Sequence, residues 1–345
     1  MELQLMTLTP LWTGGVEAGK VDRLHETGVL GSLRWWMEAF ARGLGGNVCD
    51  PTTHSCQYAE NPNNGLCDVC RIFGATGWRR RFRLDIRDST RPDASVTAAI
   101  TAQRTYTDKS GKTRTPIGWY FPNNLNDKPR TGQFALQIQS LAQDFQPEVM
   151  AGLIQFVADW AAIGARAQMG FGVIEPVNGR IETRTLYDWL IAVAGSEPYP
   201  NLPSLRNIFL TQIKPKDSSQ SFTEQTIFNL KYDLRRLYAS DQKLRHFIMG
   251  TVKDGRMAAK VKISRPYGDS LMRVWGWIPE QAGVYTSSWN RNKVVDTIYQ
   301  HLKTNYSSQV WREMNSTRDT DTPSTSDAKV FLQSLLGLKE DGDGA

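Results

Sequence analysis

The order of hydrophobic patterns in the first half of the chain limits its fold more than any other feature. Apolar residues alternate with polar ones where strands are predicted, and they recur every three to four residues where helices are predicted. Ser32 is a suitable N-cap for the first helix, and Gly45 is suited to end it. The predicted elements are a strand at 3–9, a helix at 28–44, strands at 81–87 and 134–138, a helix at 147–164 and a strand at 171–177. This βαββαβ order predicts an α+β fold of the ferredoxin-like, RRM-like type.

The same order partly recurs after a proline-rich boundary at residues 196–203. No clean last strand follows the helix predicted at 291–303, so the second copy is predicted to be degenerate. The predicted organisation is a first ferredoxin-like domain at 1–180 with a zinc loop at 47–72 and a basic hairpin at 100–122, a second ferredoxin-like domain at 200–314, and a flexible linker with a short C-terminal helix at 315–345.

All four cysteines of the chain, Cys49, Cys56, Cys67 and Cys70, fall in one short, turn-rich segment. The C-x-x-C spacing of the last two allows two thiolates on one tight turn to occupy two corners of a Zn²⁺ tetrahedron. The other two cysteines would complete the site, with His54 as a reserve ligand. Four thiolates leave no position for a catalytic water, so the predicted zinc is structural. A disulfide pair or unlinked thiols remain alternatives.

The charge of the chain is modest overall but unevenly distributed. A net charge of +6 accompanies a run of arginines from Arg71 to Arg91 that has few acidic neighbours, and such an excess favours phosphate backbones or acidic partners. No secretory signal and no apolar stretch of membrane-spanning length is present, so we expect a cytoplasmic protein with no membrane partner. In that compartment clustered cysteines favour metal over disulfide.

Three glycine-bearing segments lie at predicted strand and helix ends, at residues 9–15, 28–34 and 164–172. Glycine allows a ligand to approach the backbone closely, and a helix N-terminus offers free N–H groups to phosphate. Together with the nearby arginines, these segments suggest an extended single-stranded nucleic acid lying across the first domain. Ordinary caps and turns are the alternative interpretation.

These segments also carry a family resemblance. The motifs T-P-L-W-T-G-G, G-V-L-G-S-L-R-W-W, C-x-x-C-R-I-F-G-A-T and G-A-R-A-Q-M-G-F-G occur in this order within roughly the first 175 residues. The combination resembles the RAMP superfamily of type III CRISPR effector subunits, and most of all the first-subunit family of the Cmr complex. The resemblance implies a modified ferredoxin-like fold, assembly with other type III CRISPR subunits, and contact with guide RNA or the guide–target duplex. The extra loop around Cys49 and Cys56 departs from it, which leaves a relative from a variant type III system open.

Two sets of residues are predicted to bind RNA. Those that fall on motif positions of the resemblance are Gly14, Gly15, Gly31, Ser32, Arg34, Arg166, Gly170 and Gly172. Those added from their charge alone are Arg79, Arg80, Arg81, Lys109, Lys112 and Arg114. Trp35 is expected to contact a partner subunit or a loop, with base stacking as the alternative.

Two other functions remain open. In related subunits an acidic residue before the first helix supports metal-dependent cleavage of target RNA, and the corresponding loop here offers Asp22 and His25. A carboxylate there could hold Mg²⁺, and a histidine could move a proton near neutral pH. The chain would then be an endoribonuclease acting on target or precursor RNA. A scaffold that binds only proteins is the third possibility.

Overall fold

In the computed structural model the described residues are 1–17, 21–60, 65–93, 95, 99–100, 105–107, 110–115, 119–120, 128–252 and 255–339. The strands in chain order are β1 (Glu2–Thr7), β2 (Phe82–Asp88), β3 (Arg91–Pro92), β4 (Ala99–Ile100), β5 (Tyr106–Thr107), β6 (Thr113–Arg114), β7 (Trp119–Tyr120), β8 (Arg130–Thr131), β9 (Gln133–Ser140), β10 (Ile174–Pro176), β11 (Ile208–Pro215), β12 (Val261–Ile263), β13 (Met272–Trp277) and β14 (Tyr306–Arg312). The helices are α1 (Glu26–Gly43), α2 (Asp68–Phe73), α3 (Glu148–Trp160), α4 (Arg184–Ala192), α5 (Glu224–Arg236), α6 (Gln242–Met249), α7 (Arg291–Asn305) and α8 (Ala328–Leu335). None of these helices has the length and apolar character needed to span a bilayer.

The first sheet contains four strands in the order β10-β1-β9-β2, and all its neighbours are antiparallel. Alternation in β9 directs Phe134, Leu136 and Ile138 into the core, where each is at most 1% exposed. Helices α1 and α3 pack together in the same core, with the rings of Phe40 and Phe156 4.6 Å apart. The predicted α+β class is confirmed, with antiparallel sheets.

Helix α1 begins earlier than the glycine pattern predicts. Its N-cap is His25, and Ser32 lies inside the helix, where its Oγ donates to the Gly28 carbonyl at 3.1 Å. The prediction of Ser32 as N-cap was therefore wrong. Gly28 is a helical residue whose missing side chain leaves room for Thr13, because a Cβ would lie 2.8 Å from the Thr13 carbonyl oxygen. The glycine reflects close packing rather than a helix start.

The second sheet repeats the strand order of the first. Its order β14-β11-β13-β12 places the fourth, first, third and second strands of that sheet side by side, as β10-β1-β9-β2 does in the first sheet. Its last strand, β14, is the element that the sequence pattern does not reveal. The segment Y-S-S-Q-V-W-R has polar residues at its centre, and its pairing with β11 shifts register between Gln212 and Ile213. A bulge of this kind interrupts the two-residue alternation from which strands are recognised. The second sheet is thus complete in its number of strands.

The segment 315–327 differs from the flexible linker that its polar composition predicts. Asp319 is 2% exposed and accepts hydrogen bonds from the Arg312 side chain at 3.1 Å and from the Glu313 amide at 2.8 Å. The polar side chains of this segment bond to the end of β14. The predicted C-terminal helix is present as α8, and it packs on the first half of the chain.

The predicted basic hairpin lies only partly within the described residues. There, β5 pairs with β6 in the register Tyr106 opposite Arg114, which is the pairing expected of a hairpin. Strand β4 pairs with β7, and β3 pairs with β8.

Candidate metal centre and nucleic-acid interface

The four cysteines converge on one point at the side of α1. Cys67 is the N-cap of the short helix α2, which places Cys70 one turn later, and Cys49 and Cys56 come from the loop after α1. Their sulfur atoms all lie within 4.8 Å of one another, with Cys49 Sγ 3.6 Å from Cys67 Sγ and 3.7 Å from Cys70 Sγ.

These distances discriminate between a metal site and a disulfide. A tetrahedral zinc with Zn–S bonds of about 2.3 Å holds its sulfur atoms about 3.8 Å apart, whereas a disulfide requires about 2.05 Å. All four cysteines are free thiols, and Cys56, Cys67 and Cys70 are buried. The donor set and its spacing fit a structural Zn²⁺ site with no open coordination position.

The protonation of the cluster also favours a cation. A hydrogen bond from Cys70 lowers the pKa of Cys67 to about 4, while burial, followed by the charge on Cys67, raises the pKa of Cys49 to about 12. The hydrogen bond to Cys67 and burial also raise the pKa of Cys70. One thiolate therefore opposes the ionisation of its neighbours, and a divalent cation would remove that penalty.

Arg34 belongs to this cluster rather than to an open surface. Its guanidinium donates to Cys70 Sγ at 3.0 Å and to the Gly74 carbonyl at 3.3 Å, and it pairs with Glu38 at 2.9 Å. Glu38 in turn pairs with Arg42, which donates to the Cys49 carbonyl at 2.8 Å. The predicted contact of Arg34 with RNA stays a prediction, and its contact with the cysteine cluster was not predicted from the sequence. Arg34, Glu38 and Arg42 are spaced four residues apart in the sequence, and this spacing could have indicated that their side chains pair along α1.

The three glycine-bearing segments do meet at one edge of the first sheet. Ala165 pairs with Trp12, its amide donating to the Trp12 carbonyl at 2.6 Å. The Gly164 amide donates to Ser32 Oγ at 2.9 Å, which ties the third segment to α1. Gly14, Gly15 and Gly31 are exposed around this junction. Arg166 adopts a left-handed backbone with φ of 59° and lies over the Trp12 ring at 3.7 Å.

Gly170 and Gly172 are buried instead of facing solvent. Both have φ of +91°, and a Cβ on Gly170 would lie 2.5 Å from the Arg265 amide nitrogen. A Cβ on Gly172 would overlap the Ile163 carbonyl oxygen. Close backbone packing therefore accounts for these two glycines, and their predicted RNA contact remains untested.

The arginines predicted from charge are not equivalent. Arg79 is exposed. Arg80 donates to the Phe82 carbonyl at 2.8 Å, and Arg81 lies over the Trp78 ring at 4.6 Å and pairs with Asp144. Lys112 and Arg114 are exposed within the predicted hairpin, and Lys109 lies outside the described residues.

Asp22 and His25 are brought together before α1. The His25 ring nitrogen lies 2.7 Å from the Asp22 carboxylate, and this hydrogen bond lowers the pKa of Asp22. Asp22 is exposed, whereas His25 is 9% exposed and donates its amide to Thr13 Oγ. Among the described residues, the cysteine cluster is the single group of three or more side chains placed to bind one metal ion. Within that part of the chain, the geometry therefore provides a His–Asp pair but no ligand cluster for Mg²⁺.

Comparisons with known proteins give one family match and several distant structural similarities. No curated protein matches the chain in sequence. The crystal structure of Cmr1 from Pyrococcus furiosus in its apo form is similar at 15% identity and a TM-score of 0.46, over 89% of this chain and 97% of that one. A chain of the type III-B Cmr-beta complex bound to cognate target RNA and AMPPnP, in the presence of ssDNA, is similar at 11% identity and a TM-score of 0.44, over 88% of this chain and 98% of that one. A chain of the type III-B Cmr-beta complex bound to cognate target RNA is similar at 10% identity and a TM-score of 0.43, over 87% of this chain and 98% of that one.

The family model of the RAMP superfamily matches residues 4–175, about half of the chain. The matched region begins in β1 and ends in β10, so it includes part or all of each strand of the first sheet, the cysteine cluster and all three glycine-bearing segments. The chain therefore belongs to the RAMP superfamily.

Proposed function

We propose that the protein is an RNA-binding subunit of a type III CRISPR ribonucleoprotein, built from two ferredoxin-like halves. The observation that carries this proposal is the junction of Gly14, Gly31 and Arg166 at one edge of the first sheet. It combines exposed backbone with a cation held by an aromatic ring. Such a surface suits a phosphate backbone, which binds through charge and close approach rather than through base sequence. Membership of the RAMP superfamily supports it.

Guide RNA, target RNA and other type III subunits are the proposed partners. In such an assembly base pairing between guide and target would supply sequence selectivity, while this chain supplies affinity for the backbone. The chain should then be recovered from its native cell, at moderate salt, together with short repeat-derived RNAs and other CRISPR subunits. Recovery of the chain with proteins but without RNA would support the scaffold function instead.

A direct test uses Arg166. Arg166 lies at the proposed RNA edge. Arg166→Gln should therefore make the slope of log affinity against log salt concentration, for single-stranded RNA, shallower by about 0.7 for each phosphate that Arg166 neutralises. Arg184→Gln is a matched control on α4, beyond the family-matched region. Equal salt dependence for wild type and Arg166→Gln would remove this residue from the interface.

The proposed cofactor is one structural Zn²⁺ held by Cys49, Cys56, Cys67 and Cys70. Support comes from the sulfur spacing and from Arg34, which holds Cys70 in place. Metal analysis of the purified chain should return about one zinc per chain. A result close to zero under non-chelating conditions would contradict the proposal.

RNA cleavage is a second candidate function, favoured by the 2.7 Å contact between Asp22 and His25. In the assembled complex, Asp22→Ala should abolish cleavage if the carboxylate holds a metal or orients His25. Asp22→Asn separates these roles, because an amide can still accept a hydrogen bond but carries no charge. Unchanged product bands for both variants would exclude Asp22 from catalysis.

A further inference from the structure

A groove of about 340 Å³ lies between the two halves of the molecule. One wall is the exposed side of α1 with Gly31 and Trp35, and the opposite wall is the second sheet with Lys262 and Trp275. Ala165, from the third glycine-bearing segment, also lines the groove. The groove is therefore continuous with the proposed RNA edge, but its second wall comes from beyond the region matched by the family model.

Trp35 is held as a rigid, partly exposed surface in this groove. Its ring meets Trp36 edge to face, with centroids 4.7 Å apart and planes at 89°, and Trp36 is buried at 3% exposure. Gly31 lies one turn earlier on the same face of α1, and a Cβ there would have nothing within 4 Å. Glycine inside a helix costs about 1 kcal/mol relative to alanine. Glycine at this position leaves the space beside Trp35 open, because any larger residue there would project into the groove.

Lys262 brings a positive charge to the same groove. Its Nζ lies 5.4 Å from the centre of the Trp35 ring, and the described residues give it neither a hydrogen bond nor a carboxylate partner. Burial lowers its pKa to about 8, which leaves the amine mostly protonated at neutral pH. Arg265, three residues later, pairs with Glu224 at 2.8 Å. The lysine is thus a cation with no neutralising anion in the part of the chain that the structure describes.

We propose that this groove receives one nucleotide of single-stranded RNA, with its base against Trp35 and its phosphate on Lys262. The inference rests on the proposed RNA-binding function and adds a defined subsite to it. A flat apolar ring beside such a cation matches the two parts of a nucleotide, whereas an apolar peptide side chain would bring no anion to Lys262. Every base has a π-face, so this subsite would retain a nucleotide without reading its identity.

The test measures affinity of the full chain for a fluorescent 12-nucleotide oligouridylate and for the same backbone without bases. Trp35→Leu removes base stacking, so it should weaken oligouridylate binding about 5- to 150-fold while binding of the abasic backbone stays unchanged. Lys262→Gln should lower the salt dependence for both ligands by about 0.7. Lys243→Gln removes an exposed charge on α6, in the same half but away from the groove, and it serves as the matched control.

A variant that fills the groove avoids the risk of a damaged core. Gly31→Leu places a side chain in open space on a helix that favours it, so the protein should remain folded while oligouridylate binding falls as it does for Trp35→Leu. Gly31→Ala adds a single methyl group and should retain most of the affinity. If Trp35→Leu, Gly31→Leu and Lys262→Gln all bind oligouridylate as tightly as the wild type, this subsite is overturned but the proposed function is not. Absence of wild-type RNA binding at low salt would overturn both.

Discussion

The two halves of the molecule share one strand order but carry different clusters of polar side chains. The first sheet is accompanied by a loop whose four cysteines converge within 4.8 Å. The second sheet has no cysteine. The end of β14 carries buried ion pairs, in which the side chains of Arg312 and Asp319 are fully buried and Glu313 pairs with both Arg291 and Arg318. The same arrangement of strands is therefore accompanied by a cluster of thiols in one half and by a buried ionic network in the other.

The largest expected effect is loss of the proposed metal from the first half. Cys67→Ser removes one of four ligands, so bound zinc should fall from about one per chain to none. Loss of a structural metal belongs to the mechanisms that destabilise by more than about 4 kcal/mol. Hydrogen exchange should show loss of protection in α2, while protection in α7 persists. Equal loss in both helices would show that the halves do not differ in this respect.

The corresponding change in the second half is Glu313→Gln. It leaves Arg291 and Arg318 without a buried counter-charge, which should lower the free energy of unfolding by about 3–5 kcal/mol at pH 7. Burial opposes ionisation, but the hydrogen bond from Arg318 and the charges of Arg291 and Arg318 bring the pKa of Glu313 below its ordinary value of 4.5. Glu280→Gln, an exposed position in the same half, is the control and should have little effect.

The pH dependence of that variant gives the sign of the effect. A lowered folded-state pKa means that the stabilisation is present above about pH 4.5 and is lost as pH falls through the folded value. The gap between wild type and Glu313→Gln should therefore narrow on acidification, as denaturant unfolding would measure. A gap that widens at low pH would contradict the ion-pair explanation.

An intermediate effect is expected where the halves meet. Arg273 in β13 donates to the carbonyls of Val157, Ala158 and Ala161 at the end of α3. Arg273→Met should cost about 2–3 kcal/mol, because it removes hydrogen bonds from a charged group and leaves buried carbonyls unpaired. Thermal unfolding of this variant should be compared with that of Arg236→Met, which is exposed in the same half. Equal midpoints for the two variants would show that Arg273 does not join the halves energetically.

The smallest expected effect is on the zinc affinity of the first half, and it comes from Arg34. Arg34→Met removes the hydrogen bond to Cys70 Sγ but keeps all four sulfurs, so zinc affinity should fall about 10-fold. Competition with a chelator measures it, and Arg83→Met, an exposed change in the same half, should leave affinity unchanged. If Arg83→Met lowered zinc affinity more than Arg34→Met does, Arg34 would not be the residue that supports the site.

The sequence patterns predict local features of this molecule better than long-range ones. The strands of the first sheet and the cysteine cluster follow from alternation and spacing, which are properties of neighbouring residues. Strand β14 was missed because a bulge and three central polar residues hide its alternation. The groove could not be anticipated, because Trp35 and Lys262 are far apart in the chain and meet only through packing of the halves.

The return of α8 to the first half has a consequence for synthesis. Phe331, Leu332 and Leu335 complete a core that begins with Leu5, and Trp160 donates its ring nitrogen to the Leu335 carbonyl. A chain emerging from the ribosome can form the first sheet early, but part of its apolar surface stays uncovered until residue 335 has been made. Such an intermediate exposes apolar surface for the whole time the second half is translated. The nascent protein should therefore depend on chaperones until α8 has left the ribosome.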